Sequence, residues 1–171
     1  HRLRAEHMAV GVGAGTVVSD DPLLTTRLVE GRSPQPIVFS ARLSIPSDRK
    51  LLERNPIIVT SVTDPARHAP FTARGCRIET VPLHESLGTA LHLLWEKHRI
   101  NSLLIEGGAT LHAAFLAEDL ADEVVLFIAP FLLGEGVRFT GPSPSERTPS
   151  PRFRLLRLER RGPDVMAVWR R

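Results

Sequence analysis

Short β-branched runs, each bounded by turn residues and several separated by helical stripes, constrain this chain more than any other feature. AVGVG (Ala9–Gly13), PIVFS (Pro36–Ser40), PIIVTS (Pro56–Ser61), CRIETV (Cys76–Val81) and SLLIE (Ser102–Glu106) read as strands. Leu87, Leu91, Leu94 and Trp95 recur at i, i+4, i+7 and i+8, the stripe of an amphipathic helix. ATLHAAFLAEDL (Ala109–Leu120), opened by Gly107-Gly108, reads as a further helix, and DEVVLFIAP (Asp122–Pro130) as a long apolar strand. Strands alternating with helices imply an α/β sheet, largely parallel and covered on both faces. The end of the chain departs from this pattern. GPSPSERTPSP (Gly141–Pro151) is a loop composition, as is Gly31–Pro36, and FRLLRLERR and DVMAVWRR flank Gly162-Pro163-Asp164 as an antiparallel hairpin.

The length of 171 residues fits one domain, taken as residues 1–171. No apolar run approaches the ~20 residues of a membrane-spanning helix. A signal-peptide pattern is absent, and the lone Cys76 cannot form an internal disulfide, so a cytoplasmic setting without a membrane partner is expected. The net charge of +3 comes from scattered arginines, with only Lys50 and Lys97 as lysines, and this argues against a nucleic-acid partner. No H-E-x-x-H or Cys/His cluster points to a metal. HRLRAEH at the start reads as a helix already under way, as in a piece of a longer chain.

Three stretches invite a ligand. Gly11, Gly13 and Gly15 form G-x-G-x-G, which lacks the third glycine of the G-x-G-x-x-G dinucleotide fingerprint in either register. A strand with close backbone packing is the competing reading. IEGGATL (Ile105–Leu111) runs strand, Gly-Gly, helix; it is either an anion site at a helix N-terminus or a tight turn needing positive φ. Ser40 and Arg42 follow a strand, where a hydroxyl and a guanidinium can hold a 2′-phosphate or merely face solvent.

Taken together, HRLRAEHMAVGVGAGTVVSDDPLLTTR, PIVFSARLSIP, SLLIEGGATLHAAFL and ADEVVLFIAPFLLGEG occur in one order and spacing. This resembles the reductase domain of the riboflavin-biosynthesis deaminase-reductase. The resemblance implies a dihydrofolate-reductase-like three-layer α/β/α fold, with a mostly parallel mixed sheet and a C-terminal antiparallel hairpin. It implies NADPH as cofactor, contacted by Thr16, Asp20, Ser40 and the segment Gly108, Ala109, Thr110, Leu111, His112, Ala113 and Ala114; Gly107 and Arg42 are added from their chemistry. Substrate positions are Arg4, Leu24, Arg27 and Glu106, and Asp20 and Glu106 are the candidate catalytic carboxylates. The implied reaction is reduction of the ribosyl group of 5-amino-6-(5-phosphoribosylamino)uracil to a ribityl chain. The implied partners are that phosphorylated pyrimidine, a second copy in a homodimer, and a fused or separate deaminase domain.

Two alternatives accompany this expectation. The substrate could be the 2,5-diamino-6-ribosylamino-pyrimidinone phosphate, or the chain could be a non-catalytic nucleotide-binding or dimerisation module. Two departures from the family are visible. Phe131 stands where the family commonly has lysine, and the family's first strand, of K-x-A-x-S-x-D-G type, is not among residues 1–171. A sheet without that strand is expected to leave main-chain groups unpaired and to take up something in the slot.

Overall fold

The computed structural model describes residues 1–132, 134, 136, 139–141 and 153–171. Most of the loop expected over Gly141–Pro151 lies outside the described residues. The strands of the first sheet are β1 (Ala9–Gly13), β2 (Gln35–Phe39), β3 (Ile57–Thr60), β4 (Arg77–Thr80) and β5 (Leu103–Gly107), in the order β4-β3-β2-β1-β5. Every pairing among them is parallel.

The apolar runs are continuous because both faces of this sheet are covered. Alternate residues Val10, Val12, Val38 and Ile58 enter one core with Val17, Leu51, Leu52 and Phe71. Their neighbours Ala9, Ile37, Phe39, Ile57 and Val59 enter a second core with Leu94 and Phe115. Helix α1 is Arg2–Glu6, α2 Ala14–Asp20, α3 Pro65–Thr72, α4 Leu87–His98 and α5 Ala109–Ala117, with a 3₁₀ turn at Lys50–Arg54. Asp64 caps α3 through the Ala66 amide, and Ser86 caps α4 through the Thr89 amide. Phe39 and Phe115 meet edge-on with ring centroids 5.6 Å apart, joining β2 to α5. Neither α2 nor α3 is legible as a helix in the sequence. Gly15, Thr16, Val17 and Val18 are weak helix formers, and Pro70 lies inside α3.

The second sheet is antiparallel, with β6 (Glu123–Ile128), β7 (Arg154–Arg161) and β8 (Asp164–Arg170) in the order β6-β8-β7. The expected hairpin is β7–β8, closed by Gly162 (φ 64°) and Pro163. The run read as DEVVLFIAP pairs with this hairpin instead of joining the parallel strands. Among the described residues β5 pairs only with β1, and β6 only with β8. Both strands open on one trench of about 1120 Å³, lined by apolar side chains that include Leu103, Ile105, Phe115, Val125 and Met166. No helix among the described residues is long and apolar enough to cross a membrane.

Among the described residues Glu79 is the charged one that is buried, and both its oxygens are engaged: Lys97 Nζ and His98 Nε2 each lie 2.8 Å from one of them. Burial alone would raise its pKa, but the hydrogen bonds and charges of Lys97 and His98 outweigh that and hold it below the ordinary value. A depressed folded-state pKa gives stability that is present above the unfolded value and lost as pH falls through the folded one. Glu79→Ala is therefore expected to cost about 1–3 kcal/mol in urea unfolding at pH 7. The gap between wild type and variant should narrow as the carboxyl protonates below about pH 4.

Candidate functional site at the β1–β5 switch point

Sheet order fixes where a ligand can sit. From β1 the chain adds β2, β3 and β4 on one side, then returns through α4 to place β5 on the other. The helices that follow β1 and β5 therefore leave the sheet toward opposite faces, α2 with Val17 in the first core and α5 with Leu111 and Phe115 in the second, the arrangement that opens a crevice at the carboxyl ends of such strands. Gly13 ends β1 and Gly107 ends β5.

Glycine is required here at specific points. A Cβ on Gly11 would lie 2.8 Å from Ile105 Cδ1 and 3.0 Å from Phe39 Cε2, so close packing explains this residue. Gly108 is different: its φ of 91° favours glycine, while the nearest atom a Cβ would meet, Thr16 Oγ1, is 3.5 Å away. The turn thus leaves open backbone directly before α5. Gly108 is the N-cap of α5 and supplies no side-chain cap, so the first-turn amides of Ala109 and Thr110 and the positive helix end suit an anion. Thr16 packs against this turn, with Oγ1 3.2 Å from a Cβ position on Gly107. Thr16 and Asp20 are four residues apart on α2 and so share a face.

The register of β5 slips against β1 between Gly11 and Val12, leaving Glu106 as an extra residue between Ile105 and Gly107. Such an irregularity re-aims a side chain. Glu106 here meets Arg4 of α1, whose Nε and Nη2 donate to its two oxygens at 2.6 and 2.5 Å. The Arg4 Nη1 donates to the Thr25 carbonyl at 2.9 Å. Two of the sequence-selected residues, 102 positions apart, thus form one bidentate pair. Both line the end of the trench, as does His112, whose Nδ1 lies 2.7 Å from the Phe139 carbonyl.

The other expected residues divide by burial. Ser40 is buried at the end of β2, and its Oγ accepts the Ser44 amide at 3.0 Å while its own O–H remains able to donate. Arg42 and Arg27 are exposed and, among the described residues, make no ion pair. Asp20 is exposed; its neighbour Asp21 makes the structural bonds, accepting the Lys50 and Leu51 amides at 3.0 and 3.2 Å. Leu24 differs from its expected role: it is buried in the core with φ 54°, and its carbonyl accepts from Arg54 Nη1 at 3.0 Å. Leu111 and Ala113 are likewise buried: Leu111, in the first turn, has its amide rather than its side chain for a ligand, while the Ala113 amide bonds within the helix; Ala114 is half-buried. Phe131 is exposed. No sequence signal marks Thr25 or Asp21 as site supports, because one acts through its carbonyl and the other through backbone amides distant in sequence.

A parallel α/β sheet with a glycine turn and helix N-terminus at its switch point defines a nucleotide-binding class of fold. Comparison with known proteins narrows the class. The RibD C-terminal domain family model matches residues 1–167, and the chain belongs to this family. It is 32% identical over 174 residues to the riboflavin biosynthesis protein RibD of Aquifex aeolicus, covering 100% of this chain and 48% of that protein. It is 34% identical over 140 residues to the 2,5-diamino-6-ribosylamino-4(3H)-pyrimidinone 5′-phosphate reductase of Methanothermobacter thermautotrophicus, covering 78% of this chain and 64% of the relative. Among solved structures, Acinetobacter baumannii RibD superposes with a TM-score of 0.83 at 27% identity, over 99% of this chain and 48% of that one. A Thermotoga maritima diaminohydroxyphosphoribosylaminopyrimidine deaminase/5-amino-6-(5-phosphoribosylamino)uracil reductase gives 0.81 at 28%, over 99% and 47%. The chain spans about half the length of the RibD relatives.

Because Gly108 is held at positive φ, Gly108→Ala is expected to destabilise the folded protein by about 1–2 kcal/mol in denaturant unfolding without ligand. Gly15→Ala, where a Cβ meets nothing within 4 Å and the residue is helical, is the control and should be neutral or stabilising.

Proposed function

We propose that this chain is a reductase domain that uses NADPH to reduce the ribosyl group of 5-amino-6-(5-phosphoribosylamino)uracil in riboflavin biosynthesis. The observation that carries the reading is the β1–β5 crevice, with open glycine backbone and the α5 amides on one side and the Arg4–Glu106 pair on the other. The site residues fit the cofactor: Gly108, held at positive φ, puts no side chain over the turn, and no side chain caps the first turn of α5. The first-turn amides of Ala109, Thr110 and Leu111, after the Gly107-Gly108 turn, hold the pyrophosphate, and His112 to Ala114 extend the helix behind them. Ser40 donates to the adenosine ribose, and Arg42 binds its 2′-phosphate.

When bound, the reduced nicotinamide supplies a hydride for C1′ of the ring-opened ribose. The protein orients that carbon and excludes water. Arg4 and Arg27 bind the phosphorylated substrate. Glu106 has both oxygens engaged by Arg4 and serves as its anchor. Asp20, one helical turn beyond Thr16 and without a hydrogen-bond partner among the described residues, is the carboxylate free to move a proton at the opened ribose.

A second reading takes the diamino-pyrimidinone phosphate as substrate; it is favoured by the identity to the reductase of that name. Turnover of each pyrimidine by the full-length protein separates the two. A deaminase domain on the same polypeptide is consistent with the half-length coverage of RibD relatives. The homodimer is supported by Ile128, Leu155 and Leu158, which are exposed on one face of the antiparallel sheet. The trench supports one more assignment: an extended strand from polypeptide outside residues 1–171 lies in it and pairs β5 with β6.

Two outcomes are expected. NADPH should bind at least about tenfold more tightly than NADH in fluorescence titration, and Arg42→Ala should abolish the difference. Equal affinities in the wild type would contradict the phosphate assignment. Residues 1–171 alone should oxidise NADPH slowly with the ribosylaminouracil phosphate, and the full-length protein rapidly. Equal rates would contradict the strand assignment.

A further inference from the structure

The segment Asp21–Pro34 has no helix or strand, yet its Thr25 carbonyl meets the Arg4 guanidinium that also holds Glu106. Within the segment, the Thr26 amide donates to Ser33 Oγ at 3.0 Å and Thr26 Oγ1 to the Arg32 carbonyl at 3.4 Å, which join its middle but not its two ends. Asp21 and Leu24 both sit at left-handed φ, 42° and 54°, without being glycine. The neighbouring 3₁₀ turn Lys50–Arg54 supplies the support at both of its ends. At the first end, the Lys50 and Leu51 amides donate to the Asp21 carboxylate. At the other, Arg54 Nη1 donates to the Leu23 and Leu24 carbonyls and Nη2 to the Pro34 carbonyl, each at 3.0 Å.

These three carbonyls come from the two ends of the segment, so one guanidinium closes it like a buckle. The next carbonyl along, Thr25, is the one that Arg4 holds while also holding Glu106. Arg54 and Arg4 are close enough that the charge of Arg4, together with burial as the larger cause, lowers the Arg54 pKa from its ordinary value. Two guanidinium groups are thus kept near each other by the backbone carbonyls between them. Lysine cannot reproduce this planar fork, and an apolar residue would leave three carbonyls without their donor.

We propose that Arg54 is a positioning residue: it fixes the Leu23–Thr25 backbone so that Arg4 and Glu106 meet the phosphorylated pyrimidine in a preset geometry. It touches neither substrate nor cofactor in this role. The proposal rests on the reductase reading above and adds to it a residue that acts on the substrate side alone.

The test uses the full-length protein with Arg54→Met and Arg54→Lys. Arg54→Met is expected to raise KM for the pyrimidine phosphate by about tenfold or more, while the NADPH Kd stays within about twofold of wild type. Arg54→Lys should recover part of the loss. Limited trypsin digestion read by mass spectrometry should show faster cleavage after the exposed Arg27 and Arg32 in Arg54→Met, with other sites unchanged. An unchanged KM, or a parallel loss of NADPH and pyrimidine binding, would overturn the proposal, since either is what a purely structural residue gives. If Arg54→Met does not fold, the same KM-against-Kd split is read on Arg54→Lys. If the wild-type protein binds NADPH but turns over neither pyrimidine, the reductase reading fails. The buckle is then judged by trypsin alone, and equal cleavage of wild type and variant overturns it.

Discussion

The parallel pairing of β1 between β2 and β5 is the constraint on which the remaining structure depends. It reverses the direction in which strands are added, and the reversal separates the helices that follow β1 and β5 enough to leave a crevice. It also leaves no room for a side chain at position 11, where a Cβ would meet Ile105 and Phe39, while Val10 and Val12 point to the other face. The slip that places Glu106 out of register belongs to the same pairing. Through Arg4, that one displaced carboxylate ties α1 and the Asp21–Pro34 segment to the carboxyl end of the sheet.

The site therefore has two halves with different physical character. One is backbone: the glycine turn and the α5 first-turn amides, uncapped by any side chain and suited to negative charge. The other is a set of guanidinium groups, each with its donors pointed at named acceptors. Arg4 is divided between Glu106 and Thr25, and Arg54 among three carbonyls. Arg42 and Arg27 remain exposed and free of ion pairs among the described residues. Arginine suits both tasks because its planar fork satisfies several acceptors at fixed angles.

Much of the sheet is legible in the sequence because both of its faces are buried, so each strand is a compact apolar run between turn residues. Helix α2 is hidden by glycine and β-branched residues whose local preference runs against helix, and tertiary packing of Val17 overrides it. The positive-φ turn is legible because Gly-Gly between strand and helix has a direct backbone meaning. The supports are not. Arg54 acts on carbonyls 20 to 31 positions away, and no spacing rule connects a guanidinium to main-chain atoms at such distances. Leu24 shows the converse: a motif position identifies a residue, but only the fold tells whether its side chain or its backbone faces the ligand.

The central claim is that the crevice between β1 and β5 holds the cofactor through α5 amides and the end of β2. Amide hydrogen exchange of the full-length protein, with and without saturating NADPH, reads this most directly. The account predicts protection concentrated in Gly108–Leu111 and around Ser40–Arg42, with β7 and β8 unchanged. Protection confined to the antiparallel sheet, or none at Gly108–Leu111 under saturation, would contradict it.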